Sequence, residues 1–555
     1  MMVFRFLNVI RDDGPMAMFA SRTIPSLVPS VTCVIAVAAA TTLATGQQPR
    51  FRITDLGLIT AEPGHYMSMA LGINALGEVV GWSGRGEEEP YAFIWLPEDN
   101  YGLTAGPLHS LTDLDQGLQE CISEAHDINN RGEIAGQLGA GTTDPAARSW
   151  RYDDNWSSLD LSDPNRGSRA YAVSNHDDPF VVGWHEATAE QEQQGYVCHA
   201  NGDPLKFAYR AQITGGSVQR TDLIPDPGSN RDTVAWDLTD YAADPHIVGV
   251  MSNCGGAAWP CPTEQLALFW WIQGEPQYFF GLDPYCPQSP WRTEARGISL
   301  VGGMIEVAGI AWDWDQGDVC YRHAAYWPGP QTLCDELPDP DGGHTPSTAH
   351  AICRQGSVVR VVGWEGDEDF VNHCDPILWE KEDGGNWQPI VLDTAIPTCS
   401  HEDWNLYQAQ DVNADGWIVG AGWNEQFSQI HAFLLTPINH DCPWDVNGDG
   451  TVDTADLLEL LGAWGTCRTG HICRTDINLD CVTNTADLLL LQGNWGPCDG
   501  DGGSQVPEEI LAQWLAAGGE EALLSDDITA EEVGACLDKP TPAEAIAALY
   551  ELLFD

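Results

Sequence analysis

Two stretches near the C-terminal end set oxygen-bearing side chains at the spacing a calcium ion needs. Calcium takes six to eight oxygens, and a 12-residue loop supplies them from positions 1, 3, 5, 7, 9 and 12. In DVNGDGTVDTAD those positions are Asp445, Asn447, Asp449, the Thr451 carbonyl, Asp453 and Asp456, with Gly450 at the sharp turn of position 6. In DINLDCVTNTAD, which begins 31 residues later, they are Asp476, Asn478, Asp480, the Val482 carbonyl, Asn484 and Asp487. Cys481 replaces the turn glycine there, at a cost of about 1 kcal/mol if the turn is left-handed. Asn484 also carries one charge less than Asp453. Two Ca2+ sites are expected, the second weaker. A third stretch, DVNADG from Asp411 to Gly416, opens in the same way. Its ninth and twelfth positions are Val419 and Gly422, so it reads as a strand-to-turn segment and not as a metal site.

An apolar helical run follows each loop, LLELLGAW after the first and LLLLQGNW after the second. Tandem loops that end in Asp, each followed by a single helix, resemble a type I dockerin across residues 442–498. The resemblance implies a small α-helical domain that binds a cohesin-type module and so attaches the chain to a scaffold or cell surface. It also implies partner contacts at loop positions 10 and 11, here Thr454, Ala455, Thr485 and Ala486. Because the two pairs are identical, binding in two orientations is implied. A calcium-stabilised terminal domain with no cohesin partner is the alternative. Cys442 and Cys473 precede the loops by three residues, while Cys467 and Cys498 lie 22 after each loop start. Two bridges follow, within each repeat or exchanged between repeats, with Cys481 and Cys536 as a further pair. A four-cysteine zinc site is the rival reading.

The elements before this module are set by self-similarity. Residues 51–437 repeat a unit of Ala, two variable residues, an aliphatic, a small polar residue, a turn, and an apolar strand ending in Gly. The copies run Ala70 to Gly81, Ala125 to Gly136, Ala170 to Gly183, Ala235 to Gly249, Ala295 to Gly309, Ala349 to Gly363 and Ala409 to Gly420. An apolar segment ending in Trp95, Trp150, Tyr209, Trp270, Trp327, Trp379 or Leu435 follows each copy. After six of them comes a fourth strand: HSLTDL, SSLDL, QRTDL, QYFFGL, QTLCDEL and QPIVL. The seventh is supplied from the start of the domain by FRITDLGL, Phe51 to Leu58. The expected fold is mainly β, a seven-bladed propeller-like domain closed by that displaced strand, since closure removes two sheet edges. An open solenoid or a pair of sandwiches is the rival. The pattern resembles the HAF-type extracellular repeat, carried here by His431-Ala432-Phe433 and partly by His323-Ala324-Ala325. That resemblance implies export and architecture, not a chemistry. The repeated aromatic residues read as packing core.

Charge narrows the partners. The chain holds 82 acidic against 24 basic residues, with lysine only at Lys206, Lys381 and Lys539, for a net charge of −58. Such a surface repels nucleic acid and anionic membranes. Residues 1–46 read as a signal peptide: Arg5, Arg11 and Arg22 precede VTCVIAVAAATTLA, with Ala44-Thr45-Gly46 as the cleavage region. Met16 or Met18 is an alternative start. Thr32-Cys33 fits a lipoprotein site poorly, and no later apolar run is long enough to span a membrane. Secretion follows, to the exterior or the cell surface, where the remaining 16 cysteines can pair. After a linker at 499–505, the tail 506–555 is expected to be helical, with TPAE from Thr541 to Glu544 as a capping box.

Nucleophile and phosphate-binding motifs (HExxH, GxSxG, SxxK, Gly-rich loops) are absent. The reading is therefore a secreted calcium-binding protein whose repeat domain binds a ligand or assembles on a surface. The alternative is a polysaccharide-degrading glycoside hydrolase or lyase that works in the propeller channel and is attached by the dockerin. A purely structural envelope protein is a third possibility. No catalytic residue is assigned, because 82 carboxylates offer too many candidate acid pairs.

Overall fold

The computed structural model describes residues 50–498 apart from short internal stretches, the longest being 193–203, 254–264 and 279–292. The signal segment, Cys467, the linker and the helical tail with Cys536 and its capping box lie outside the described residues. What is described is mainly β.

Each repeat folds into an antiparallel sheet whose first strand carries the motif alanine and whose second carries the terminal glycine. In the second repeat these are Ser123–Ile128 and Ile134–Leu138, followed by Ala146–Asp153 and Asn155–Asp160. Repeats three to six keep the same four-strand order. The last repeat supplies Trp404–Val412, Ile418–Asn424 and Gln429–Pro437. Its fourth strand is Phe51–Gly57, which pairs with it from Phe51↔Pro437 to Gly57↔Ala432. Some fourth strands are shorter than their sequences suggest. HSLTDL is strand only at His109–Ser110, because Ser110 Oγ then accepts the Asp113 amide and starts a helical turn at Leu111–Leu114. An outermost strand has one neighbour, so a local cap can compete with the ladder.

Close approach explains the alternation of Ala and Gly. The two residues face each other across the first two strands of every repeat, from Ala70↔Gly81 to Ala409↔Gly420. Directly after each alanine the register slips by one residue, a β-bulge present in all seven repeats. The carbonyl preceding the alanine thereby presses on the glycine. A Cβ would lie 1.8 Å from Gln408 O at Gly420 and 2.1 Å from Glu124 O at Gly136.

Successive sheets pack face to face through apolar clusters. Val80 and Ile94 of the first meet Ala125 and Ile128 of the second. The last meets the first in the same way, with Val419, Ala432 and Leu434 against Ala70, Ile73 and Phe93. The third-strand residues Trp95, Trp150, Tyr209, Trp327 and Trp379 are fully buried and belong to this core. Polar latches accompany the packing. Ser123 Oγ accepts from Ala92 N, Ser168 Oγ from Ala147 N, Ser347 Oγ from Ala324 N, and Ser68 Oγ from Ala432 N. Thr233 and Thr293 do the same for Ala208 and Ala267. The motif asparagines add a second line: Asn413 donates to Asn74 O, Asn74 to Asn129 O, and Asn129 to Ser174 O.

Gly363→Ala tests the close approach, since the new methyl would meet the Thr348 carbonyl at 1.9 Å. We expect a loss of about 1–3 kcal/mol of stability, read as a lower midpoint in chemical denaturation. An unchanged midpoint would show that the strand pair relaxes freely.

Candidate functional sites

The two loops whose spacing would suit calcium are built as their sequences dictate. Each leads into a helix, Thr454–Gly462 and Thr485–Gly493, capped by Asp453 and Asn484 in reciprocal boxes with Asp456 and Asp487. Asp456 Oδ1 accepts the Val446 and Asn447 amides and its Oδ2 accepts that of Asp453. Asp487 holds Ile477, Asn478 and Asn484 in the same way. At position 1, Asp445 accepts from Gly448 and Gly450, and Asp476 from Asp480 and Cys481. Asp476, Asp480 and Asp487 each offer a carboxylate oxygen within 4.8 Å of the others. Burial, then the neighbouring charges of Asp487 and Asp480, raise the Asp476 carboxyl above its usual range. A hard divalent cation relieves that repulsion, so the residues present fit calcium. Gly450 adopts φ +87°, while the second loop puts Leu479 at +62° and Cys481 at +68°.

The Cys442–Cys498 bridge joins the start of the first repeat to the end of the second, which is the exchanged pairing. Cys473 and Cys481 are also disulfide-bonded. Bridged sulfurs are not thiolate ligands, which removes the zinc reading for these four. Thr454, Ala455, Thr485 and Ala486 open the two helices; Ala455 is exposed and the other three are half-buried. The module touches the repeat domain through Arg52 on the closing strand, whose Nη2 donates to the Asp476 carbonyl at 3.2 Å. Arg474 lies over the Trp417 ring at 6.0 Å. DVNADG is strand and turn, as read. Asp411 binds backbone amides of Ile73 and Val412 there.

A second site was hidden in the variable positions of the repeat. The residue after each motif alanine is the one freed by the bulge, namely Leu71, His126, Tyr171, Trp236, Arg296, His350 and Gln410. All seven line one cavity of about 520 Å³, together with Met69, Trp82, Glu124 and Arg169. Every first strand therefore contributes to a single pocket. Burial, then the charge of Arg169, pushes the His126 imidazole down to about 3. Burial and then Arg296 and Arg322 depress His350 well below its ordinary value. Both rings are neutral, consistent with Arg296 Nη1 donating to His350 Nε2 at 2.8 Å. Glu124 is the one carboxylate lining the cavity among the described residues. Three further carboxyls, Asp127, Asp237 and Asp411, sit two positions after motif alanines, where each accepts an amide from the neighbouring sheet.

No family profile matches the chain, and no curated protein does. Among solved structures it is similar to the α-L-arabinanase of Penicillium chrysogenum complexed with arabinobiose, with TM-score 0.33, 9% identity, and coverage of 56% of this chain and 92% of that one. It is also similar to Trypanosoma rangeli sialidase in complex with sialic acid, at TM-score 0.33, 10% identity, and 61% and 57% coverage. An α-L-arabinofuranosidase variant of Fusarium graminearum with an iminosugar inhibitor gives TM-score 0.30, 9% identity, and 56% and 90% coverage. Likeness at this level assigns no chemistry, and the cavity must be read from its own residues.

The left-handed Leu479 gives one test. Leu479→Gly relieves about 1 kcal/mol of backbone strain, so calorimetric titration should show the second calcium site tightened roughly fivefold. Unaltered affinity would mean that the strain is released elsewhere. The buried carboxyls give another. Burial pushes Asp127 up to about 6 and Asp411 up to about 7, while burial and their charges raise Asp237 well above the usual range. Raised native values mean that the stability tied to the protonated forms is fully present below the unfolded value and is lost as pH climbs through 6 and 7. At saturating calcium, Tm should fall between pH 5 and pH 8, and Asp411→Asn should flatten that slope. A rising Tm would refute the assignment.

Proposed function

We propose that this is a secreted, calcium-binding extracellular protein. A closed seven-bladed propeller presents a ligand cavity on its axis, and a dockerin-like module attaches the propeller to a scaffold. One observation carries this reading: all seven first strands deliver their bulged residue to the same pocket, so a single compound site is made by the whole ring. Its volume lies within the range of small-ligand sites. Its lining mixes aromatic faces, two arginines and amide or imidazole groups, which suits recognition of a polar ring compound such as a saccharide. The loop geometry and the clustered carboxylates of the second loop support Ca2+ at the attachment module. The helix-opening residues Thr454, Ala455, Thr485 and Ala486 are its cohesin-facing candidates.

The alternative, a glycoside hydrolase in the same cavity, needs two carboxyl groups flanking one bond. Glu124 is one. Asp127 and Asp411, pushed up to about 6 and about 7, are in the range of a general acid. Both already hold two backbone amides each, which favours binding over catalysis.

Affinity electrophoresis of the full chain in a panel of polysaccharides, with a reducing-sugar assay on the same mixtures, separates these readings. Retardation that Trp236→Ala abolishes, without new reducing ends, is expected. Release of reducing ends that Glu124→Gln eliminates would establish the hydrolase instead. A chain retarded by nothing in the panel would sink the cavity reading.

A further inference from the structure

We infer that the axial cavity takes a carboxylate-bearing sugar unit, of uronic-acid type, held through its carboxylate by Arg169. This rests on the cavity being the ligand site. Acidic side chains outnumber basic ones by more than three to one in this chain, and many arginines are matched: Arg131 with Asp177, Arg148 with Asp160, Arg354 with Glu306, Arg360 with Glu380. Inside the cavity, Arg296 is matched too, its Nε on Glu294 at 3.0 Å. Arg169 is the other arginine of the cavity lining. Among the described residues no carboxylate lies within ion-pair distance of it, and its Nε is buried without a hydrogen-bond partner. Arg169 is half-buried, with Tyr171 as its side-chain hydrogen-bond partner; a guanidinium partly withdrawn from water with no counter-charge gains from an arriving anion, and its planar fork fits a carboxylate through two parallel bonds.

The surroundings specify what the carboxylate is attached to. The Tyr171 and Trp236 rings stand beside Arg169 with centroids 4.5 Å apart and form an aromatic wall, against which the C–H face of a sugar ring can pack. The indole Nε1 of Trp236 is likewise buried without a partner and supplies a donor for a ring substituent. Met69, Leu71 and Trp82 make an apolar arc, and Glu124, His350 and Gln410 complete the lining with groups that can meet hydroxyls. A simple inorganic anion would leave the aromatic and apolar lining uncovered. A neutral sugar would leave Arg169 without a carboxylate partner. The −58 charge of the chain repels a polyanion at long range, but at 0.15 M salt that repulsion is screened within about 8 Å, so the contact at Arg169 decides the outcome.

The test is isothermal titration of the full chain, at 0.15 M salt with calcium, with three probes: oligogalacturonate, the same oligosaccharide with its carboxyls reduced to alcohols, and a sulfated neutral oligosaccharide. We expect the acid to bind at least about tenfold more tightly than its reduced form. Arg169→Ala should erase that preference while keeping the residual affinity for the reduced form, and Arg169→Lys should restore part of it. Equal affinity for acid and reduced form, or a preference that survives Arg169→Ala, overturns the inference and leaves the cavity as a saccharide site. Equally tight binding of the sulfated probe overturns the carboxylate specificity. No binding of any probe overturns this inference together with the proposed function. Unchanged thermal unfolding of both variants verifies that the folded protein is being compared.

Discussion

Everything in the repeat domain depends on one crowded crossing. In each repeat a carbonyl of the first strand is pressed against the α-carbon of a glycine on the second, with room for hydrogen and nothing larger. The crowding arises from the bulge after the paired alanine, and the bulge in turn breaks the strict alternation of a strand. One residue per repeat is thus released from core duty. Seven such residues meet at one place. The same small-residue crossing that rigidifies the sheet is what leaves the pocket chemically free to vary.

Electrostatics adds a second layer to this frame. Excess acid is managed by pairing most of the described arginines, by handing aspartates to backbone amides between sheets, and by gathering carboxylates in the two candidate cation loops. The two parts of the chain meet where these devices touch. Arg52, on the strand that completes the last sheet, reaches the carbonyl of Asp476, the first residue of the second loop. Burial lowers the Arg52 guanidinium, while the charge of Asp476 works against that shift. The first residue of the second loop and the closing strand therefore share an atom-to-atom contact.

Much of the frame was legible from residue types. The Ala-to-Gly spacing marks the first two strands, the displaced FRITDLGL segment marks the pairing with Gln429–Pro437, and the loop carboxylates mark caps as well as candidate ligands. Other features hide for physical reasons. A serine or threonine two residues before the motif alanine is unremarkable in a strand, and only the neighbouring sheet reveals it as an acceptor. His431 reads as a family signature, whereas its Nδ1 sits 2.8 Å from Asp55 of the closing strand and clips the two together. The cavity residues were invisible because they differ from repeat to repeat, and a search for similarity discards what varies. Asp411, in the segment read as strand and turn, is a structural acceptor of two backbone amides, a role its residue type alone does not reveal.

The closing strand has a consequence in time. Its partner, Gln429–Pro437, is the last strand of the repeat domain to be made, while Phe51–Gly57 is the first. Pairings so distant in sequence form late and slowly. Until the two ends meet, six sheets can pack while the seventh presents an open edge and the Ala432 amide awaits Ser68. During that interval, at high concentration, the free N-terminal strand of one molecule can complete the last sheet of another. The seam that finishes the monomer is therefore also its route to strand-swapped dimers, and the rate at which a single chain finds its own end sets how much of that by-product accumulates.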